Sequence, residues 1–331
     1  MLEQDVDAIA EETGFSGVVR VDVSDGIELA KAYGLANRSY EIPNTLETQF
    51  GIASGTKGLT AVAVASLIED GSLDLTTTAR SVLGEDLPLI DDGVTIEHLL
   101  SHRSGIGDYL DEDTDLDLTD YLMPVPVHEL ATTEEYLAVL GGHRTKFAPD
   151  AEFAYCNGAY VVLALIAERT SGVPFHELVR QRVCEPAEMH DTEFLRSDEL
   201  PGRAAVGCVE MNGAARTNVF HLPVRGSGDG GIYTTVADMS SFWRALFAGR
   251  IVSAGIVAEM VRARSEVPRQ SMRYGLGLWL HMSTDAVILE GADAGVSFRS
   301  VHDPVRKIMH TVISNTSDGA WPIAQLLNQR Y

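Results

Sequence analysis

The chain has 331 residues, enough for about two domains or one large composite domain. Apolar side chains make up 45% and charged ones 22%, with 30 Gly and 12 Pro dispersed along the chain, which excludes a disordered, collagen-like or low-complexity protein. Forty-eight acids against 25 bases leave a net charge of −23, which argues against attraction to phosphate backbones or anionic lipid, so neither nucleic acid nor a membrane is expected as a partner.

Residues 1–13 read as a short acidic helix, and no apolar run of 18 residues occurs. The start, Met1-Leu2-Glu3-Gln4-Asp5-Val6-Asp7, lacks the basic and apolar regions of a signal peptide, so a cytoplasmic location is expected. Gly17 to Val23 alternates like a strand before a turn at Ser24-Asp25-Gly26, which predicts an opening hairpin. After an irregular stretch from Ala36 to Phe50, Leu59, Val62, Ala63 and Leu67 have helical spacing up to Gly71, in a segment so apolar that it must be buried. Helices and loops follow from about 75 to 265, with Ala159–Arg169 and Val236–Phe247 the most apolar. From Gly275 short strand-like runs return: Gly277–His281, Ala286–Leu289, Val296–Val301 and Ile308–Ile313, closed by a helix near Ala320–Gln329. The expected fold class is α+β, with residues 1–55 and 266–331 forming an α/β sheet region and 56–265 a mostly helical region.

Three local patterns carry chemistry. In Ser54-Gly55-Thr56-Lys57, a hydroxyl precedes an amine by three residues at the start of a buried helix, which puts both on one face. An amine with an ordinary pKa of about 10.4 serves as a base only when burial or a neighbouring cation lowers it, and the apolar helix supplies burial. The plainer alternative is an N-capping serine beside an incidental lysine, although a capping box would place Glu or Gln where Lys57 stands. Tyr155-Cys156-Asn157 sets a phenol and a carboxamide on one side of an extended segment, the first fit to relay a proton and the second to orient a substrate amide. Leu289-Glu290-Gly291-Ala292-Asp293-Ala294-Gly295 places glycines in a strand-like stretch, where a ligand can approach the backbone, or where a bulge or turn lies.

In this order, S-x-x-K, Y-x-N and a glycine-containing strand resemble the serine β-lactamase and penicillin-binding protein superfamily. The likeness is to its class C β-lactamase-like branch, with D-aminopeptidases, DD-carboxypeptidases and esterases. Phe50-Gly51-Ile52-Ala53-Ser54, Thr95 to Gly105 and Gly230 to Met239 strengthen the resemblance, which runs from about 15 to 315. It implies a β-lactamase/DD-peptidase-like fold, an antiparallel sheet flanked by terminal helices with a mostly helical lobe and the active site between. It also implies a serine hydrolase acting through an acyl-enzyme on a small ester, amide or peptide, without metal or organic cofactor. Ser54 would be the nucleophile, with Lys57 and Tyr155 both qualifying as the base. Asn157, Gly291 and Ala292 would bind substrate, and the backbone N–H of Ser54 and of a residue near Ala292 would form the oxyanion hole. The third motif departs from the usual K-T-G or H-x-G, reading Leu289-Glu290-Gly291, which favours esters or amides over substrates with a free carboxylate. A β-lactamase or D-Ala carboxypeptidase is the alternative, and a non-catalytic binding protein of the same fold is the alternative from another class.

Competing patterns carry less. His98 and His102 are four apart, yet the Glu of H-E-x-x-H is absent, so packing is expected instead of a metal. Gly226 to Gly231 fits G-x-G-x-x-G by letter but lacks the β-α-β context, and reads as a loop beside the active site. His302-Asp303-Pro304 reads as a turn between strands. Cys156, Cys184 and Cys208 have no C-x-x-C spacing and read as buried free thiols.

Overall fold

Val18, Val19 and Val21 sit on one strand but face two cores, since alternate strand residues point to opposite sides. That strand, β1 (Gly17–Val23), belongs to an eight-stranded antiparallel sheet in a computed structural model that describes residues 1–24, 26–112 and 121–331. Its partners are β2 (Gly26–Tyr33), β3 (Ser265–Val267), β4 (Met272–Tyr274), β5 (Trp279–His281), β6 (Val287–Asp293), β7 (Val296–Asp303) and β8 (Ile308–Ser314). The spatial order is β2-β1-β8-β7-β6-β5-β4-β3, so the two ends of the chain meet where β1 pairs with β8, Val19 opposite Val312. Asp25, in the turn expected between the first two strands, lies outside the described residues.

On one face of the sheet, helix α1 (Leu2–Thr13) packs through Leu2, Val6 and Ala10 beside the C-terminal helix, and both cover Val19, Val21 and Val312. The other face meets the larger core, built around α2 (Thr56–Glu69) and α3 (Asn157–Ser171). Every residue of α2 from Thr56 to Leu67 is buried. A helix apolar all round is the interior kind, so the residues at its ends are held from every side. Next in the chain, α4 (Val236–Phe247) begins at Thr235, whose side chain accepts the Asp238 N–H, and is tied to β1 by the Ser240 hydroxyl at 2.8 Å and Arg244 at 3.2 Å from buried Asp22. The C-terminal helix is α5 (Ala320–Arg330).

The sheet has two strands beyond those expected, β3 and β4, each three residues long and too short to show alternation. His98 lies in the short helix Ile96–Leu100 but His102 lies past its end at φ 56°, so the two do not share a helix face. All three cysteines are free, and Cys208 is only partly buried. Among the described residues, no helix is long and apolar enough to cross a membrane.

Candidate active site

Ser54 occupies a single turn of 3-10 helix, Ala53–Gly55, wedged between the end of β6 and the start of α2. Ala53 carries φ 44°, a backbone region that side chains rarely adopt, and this bend lifts Ser54 clear of the helix. The cap of α2 is Gly55 with no side-chain hydrogen bond, so Ser54 does not act as an N-cap. The close fit on the strand side explains Gly291: a Cβ there would lie 2.4 Å from the Ile52 carbonyl oxygen and 2.6 Å from the Ser54 nitrogen. Ala292, next along, is exposed at the same opening.

Lys57 is 2% exposed, and its Nζ meets three acceptors, one for each ammonium proton: Ser54 Oγ at 2.9 Å, Asn157 Oδ1 at 2.7 Å and the Asp229 carbonyl oxygen at 2.8 Å. Burial pulls the Lys57 pKa below its ordinary value, against the opposing fields of Asp229, Glu112 and Asp108. Tyr155 closes the other side. Lys57 Nζ lies 4.9 Å from its ring centroid, the ring stacks on Trp279 at 6.1 Å, and His102 packs 4.3 Å away. Burial holds the Tyr155 phenol well above its ordinary pKa, with Glu112 adding to the effect and a hydrogen bond to Ser54 opposing it. Buried His102, kept neutral because burial lowers its pKa, accepts the Cys156 N–H at Nδ1, which fixes the segment between Tyr155 and Asn157. Hence Ser54, Lys57, Tyr155, Asn157 and Gly291 all converge on one place, with Ala292 at its rim.

Other members of the site are not visible as motifs. The Asp108 carboxylate accepts the N–H groups of Asn157 at 2.6 Å and Gly158 at 2.9 Å, capping α3 from a loop 49 residues earlier. Asp229 contributes a backbone carbonyl, which no side-chain pattern reports, although the glycines around it were a signal: a Cβ on Gly228 would lie 2.2 Å from the Tyr160 carbonyl oxygen. The loop Gly226–Gly231 thus lies beside Lys57 as expected. Leu289 of the third motif turns inward, where its side chain would meet a Cβ on Gly58 at 2.3 Å. Glu290 turns outward and pairs with Arg299 at 3.0 Å. Arg299 stands opposite Glu290 on β7, so its charge is already matched. His98 accepts the Thr95 N–H at Nδ1 and caps its own helix, and no three His, Cys, Asp or Glu side chains among the described residues group as a metal site.

The overall fold is shared with a solved structure. The crystal structure of a penicillin binding protein from Bacillus halodurans matches with a TM-score of 0.92 and 32% identity, covering 98% of this chain and 99% of that one. Esterase EstB of Burkholderia gladioli is 32% identical over 216 residues, 60% of this chain and 52% of its own. A D-aminopeptidase of Brucella anthropi is 26% identical over 273 residues, 81% of this chain and 49% of its own. The chain spans between about half and two thirds of the length of the first curated relatives it matches. With the Beta-lactamase family profile matching residues 2–326, the chain belongs to the Beta-lactamase family.

Proposed function

We propose that the protein is a serine hydrolase that cleaves a small ester or amide through an acyl-enzyme. The observation that carries this reading is the buried Lys57 amine, 2.9 Å from Ser54 Oγ and lowered in pKa by its burial. In its neutral form Lys57 takes the Ser54 proton as Oγ attacks the substrate carbonyl. Tyr155, held as a neutral phenol, is suited to donate a proton to the leaving group rather than to begin as a phenolate base. Backbone N–H groups of Ser54 and of the strand near Ala292 face the developing oxyanion, and each donor of this kind contributes about 3 to 4 kcal/mol. Water then releases the acyl group by the reverse relay.

Substrates without a carboxylate fit best. Leu289 offers no cation, and Arg299 is matched by Glu290. A carboxylate placed at the third motif would have to displace that pair, at a cost of several kcal/mol. The test compares kcat/KM for a short-chain p-nitrophenyl ester and a chromogenic cephalosporin. The ester is expected to be the better substrate by at least roughly tenfold. A cephalosporin turned over as efficiently would replace this reading with a β-lactamase.

A further inference from the structure

Beside Ser54, a cavity that opens to solvent runs from the nucleophile turn to the end of β6 and the Gly226–Gly231 loop. Its described lining holds the carboxylic acids Glu112, Asp229 and Asp293 and no lysine or arginine; Lys57 lies behind the wall, directed at Ser54, Asn157 and the Asp229 carbonyl. Tyr109, Tyr121, Tyr136 and Tyr233 supply aromatic surface. The three acids differ in what they already hold. Asp229 accepts the Tyr109 hydroxyl, Glu112 accepts Asn157 Nδ2 at 2.9 Å, and Asp293 accepts the amide of its own neighbour Ala294 at 2.8 Å, with no ion pair among the described residues. Asp293 stands two residues beyond Gly291, so strand alternation turns it to the face that Gly291 presents to Ser54. Two further buried polar atoms of the lining residues, Ser197 Oγ and His221 Nδ1, have no hydrogen-bond partner among the described residues.

We propose that this cavity receives the acyl half of the substrate and selects acyl groups bearing an ammonium, which Asp293 and Glu112 meet as countercharges and the tyrosines as a cation-binding wall. The inference rests on the hydrolase reading above and adds the class of acyl group. A neutral acyl chain would leave Asp293 without a countercharge, and an anionic one would face three acids. An ammonium satisfies the carboxylates and gains from the aromatic faces, an interaction strongest where water is excluded. Burial, reinforced by Asp229 and Glu112 and opposed by Lys57, raises the Asp293 carboxyl to about 7, so its charge is lost on mild acidification.

An isosteric pair separates charge from shape: the p-nitrophenyl esters of 4-(trimethylammonio)butyrate and of 5,5-dimethylhexanoate. Their ratio of kcat/KM cancels the titration of Lys57, common to both, and the quaternary ammonium itself does not titrate. The titratable carboxyl and imidazole groups that line the cavity are Asp293, Glu112, Asp229 and His221. The ammonium ester is expected to be favoured by ~10-fold or more at neutral pH, with the preference growing as pH rises through about 7. Asp293→Asn should lower it ~5-fold or more and flatten its pH dependence, and Glu112→Gln should lower it less. Calorimetric binding of the two corresponding amides to Ser54→Ala reads the same preference without turnover. Ser54-dependent hydrolysis of the neutral ester with a ratio of one or below overturns the ammonium pocket and leaves the hydrolase standing. No Ser54-dependent turnover of either ester overturns the hydrolase, and the binding comparison then decides the pocket alone, equal affinities ending the proposal.

Discussion

Lys57 Nζ is held by Ser54, Asn157 and the Asp229 carbonyl before any substrate arrives, so Ser54 and Lys57 should contribute one function and not two. Ser54→Ala and Lys57→Ala are each expected to lower ester turnover roughly a thousandfold or more, and the double variant little further. Additive losses would show that the pair does not act as a unit. Tyr155→Phe keeps the stack on Trp279 and loses only the hydroxyl; single-turnover acylation should slow by about 10² to 10⁴, with the thermal midpoint nearly unchanged. Asp293 tests the cost of the site to the fold. Its carboxyl rises from 3.8 to about 7 on folding, so the native chain holds this proton more tightly than the unfolded chain. That contribution to stability is full below about 3.8 and is lost as pH rises through about 7. Asp293→Asn should therefore stabilise the protein at about pH 8 relative to about pH 4, by of order 1 to 3 kcal/mol in denaturant titrations. Ser54, Lys57, Tyr155 and Asn157 were legible in the sequence because each pair is joined by short spacing across a helix start. Asp108 and Asp229 were not, because a cap from a distant loop and a backbone carbonyl leave no local pattern.

At the scale of elements, the site is a junction of two helix starts, one strand and one loop, and the strand sets the tolerance. Gly291→Ala would drive a methyl into the Ile52 carbonyl and the Ser54 nitrogen, neither of which is the free end of a side chain. The strand must back away from the nucleophile turn, at a cost of about 1 to 3 kcal/mol in stability, and acylation should fall about a hundredfold. A variant with wild-type acylation would show that β6 does not frame the reacting carbonyl. The long elements were readable from sequence: α2 and α3 from their apolar content, β6 to β8 from short strand-like apolar runs. The pairing of Glu290 with Arg299 was not, because it depends on the register between β6 and β7, which only the folded sheet reveals.

For the whole molecule, the sheet joins the two chain ends, and the outer core depends on both terminal helices. Removing residues 320–331 would strip Ala320, Ile323, Ala324 and Leu327 from that core and expose Val19, Val21 and Val312. Burial of side chains such as Ile and Leu contributes about 1.5 to 3 kcal/mol each, so the loss approaches the ~5 to 15 kcal/mol that holds a domain together. The truncated chain is expected to be unfolded by circular dichroism and unreactive towards a fluorophosphonate, whereas a folded, reactive product would show that the outer core is dispensable. Strand-like runs cluster at both ends of the sequence, while the three-residue strands β3 and β4 were hidden by their brevity. The contact of Gly291 with Ser54 has a consequence for the protein while it is being made. The nucleophile leaves the ribosome early and its strand late, and at about 5 to 20 residues per second this gap lasts on the order of ten seconds or more. On the mechanism proposed here, the serine would have no oxyanion partner through that interval, so a growing chain would stay inert and become reactive only once its last strands had closed the sheet.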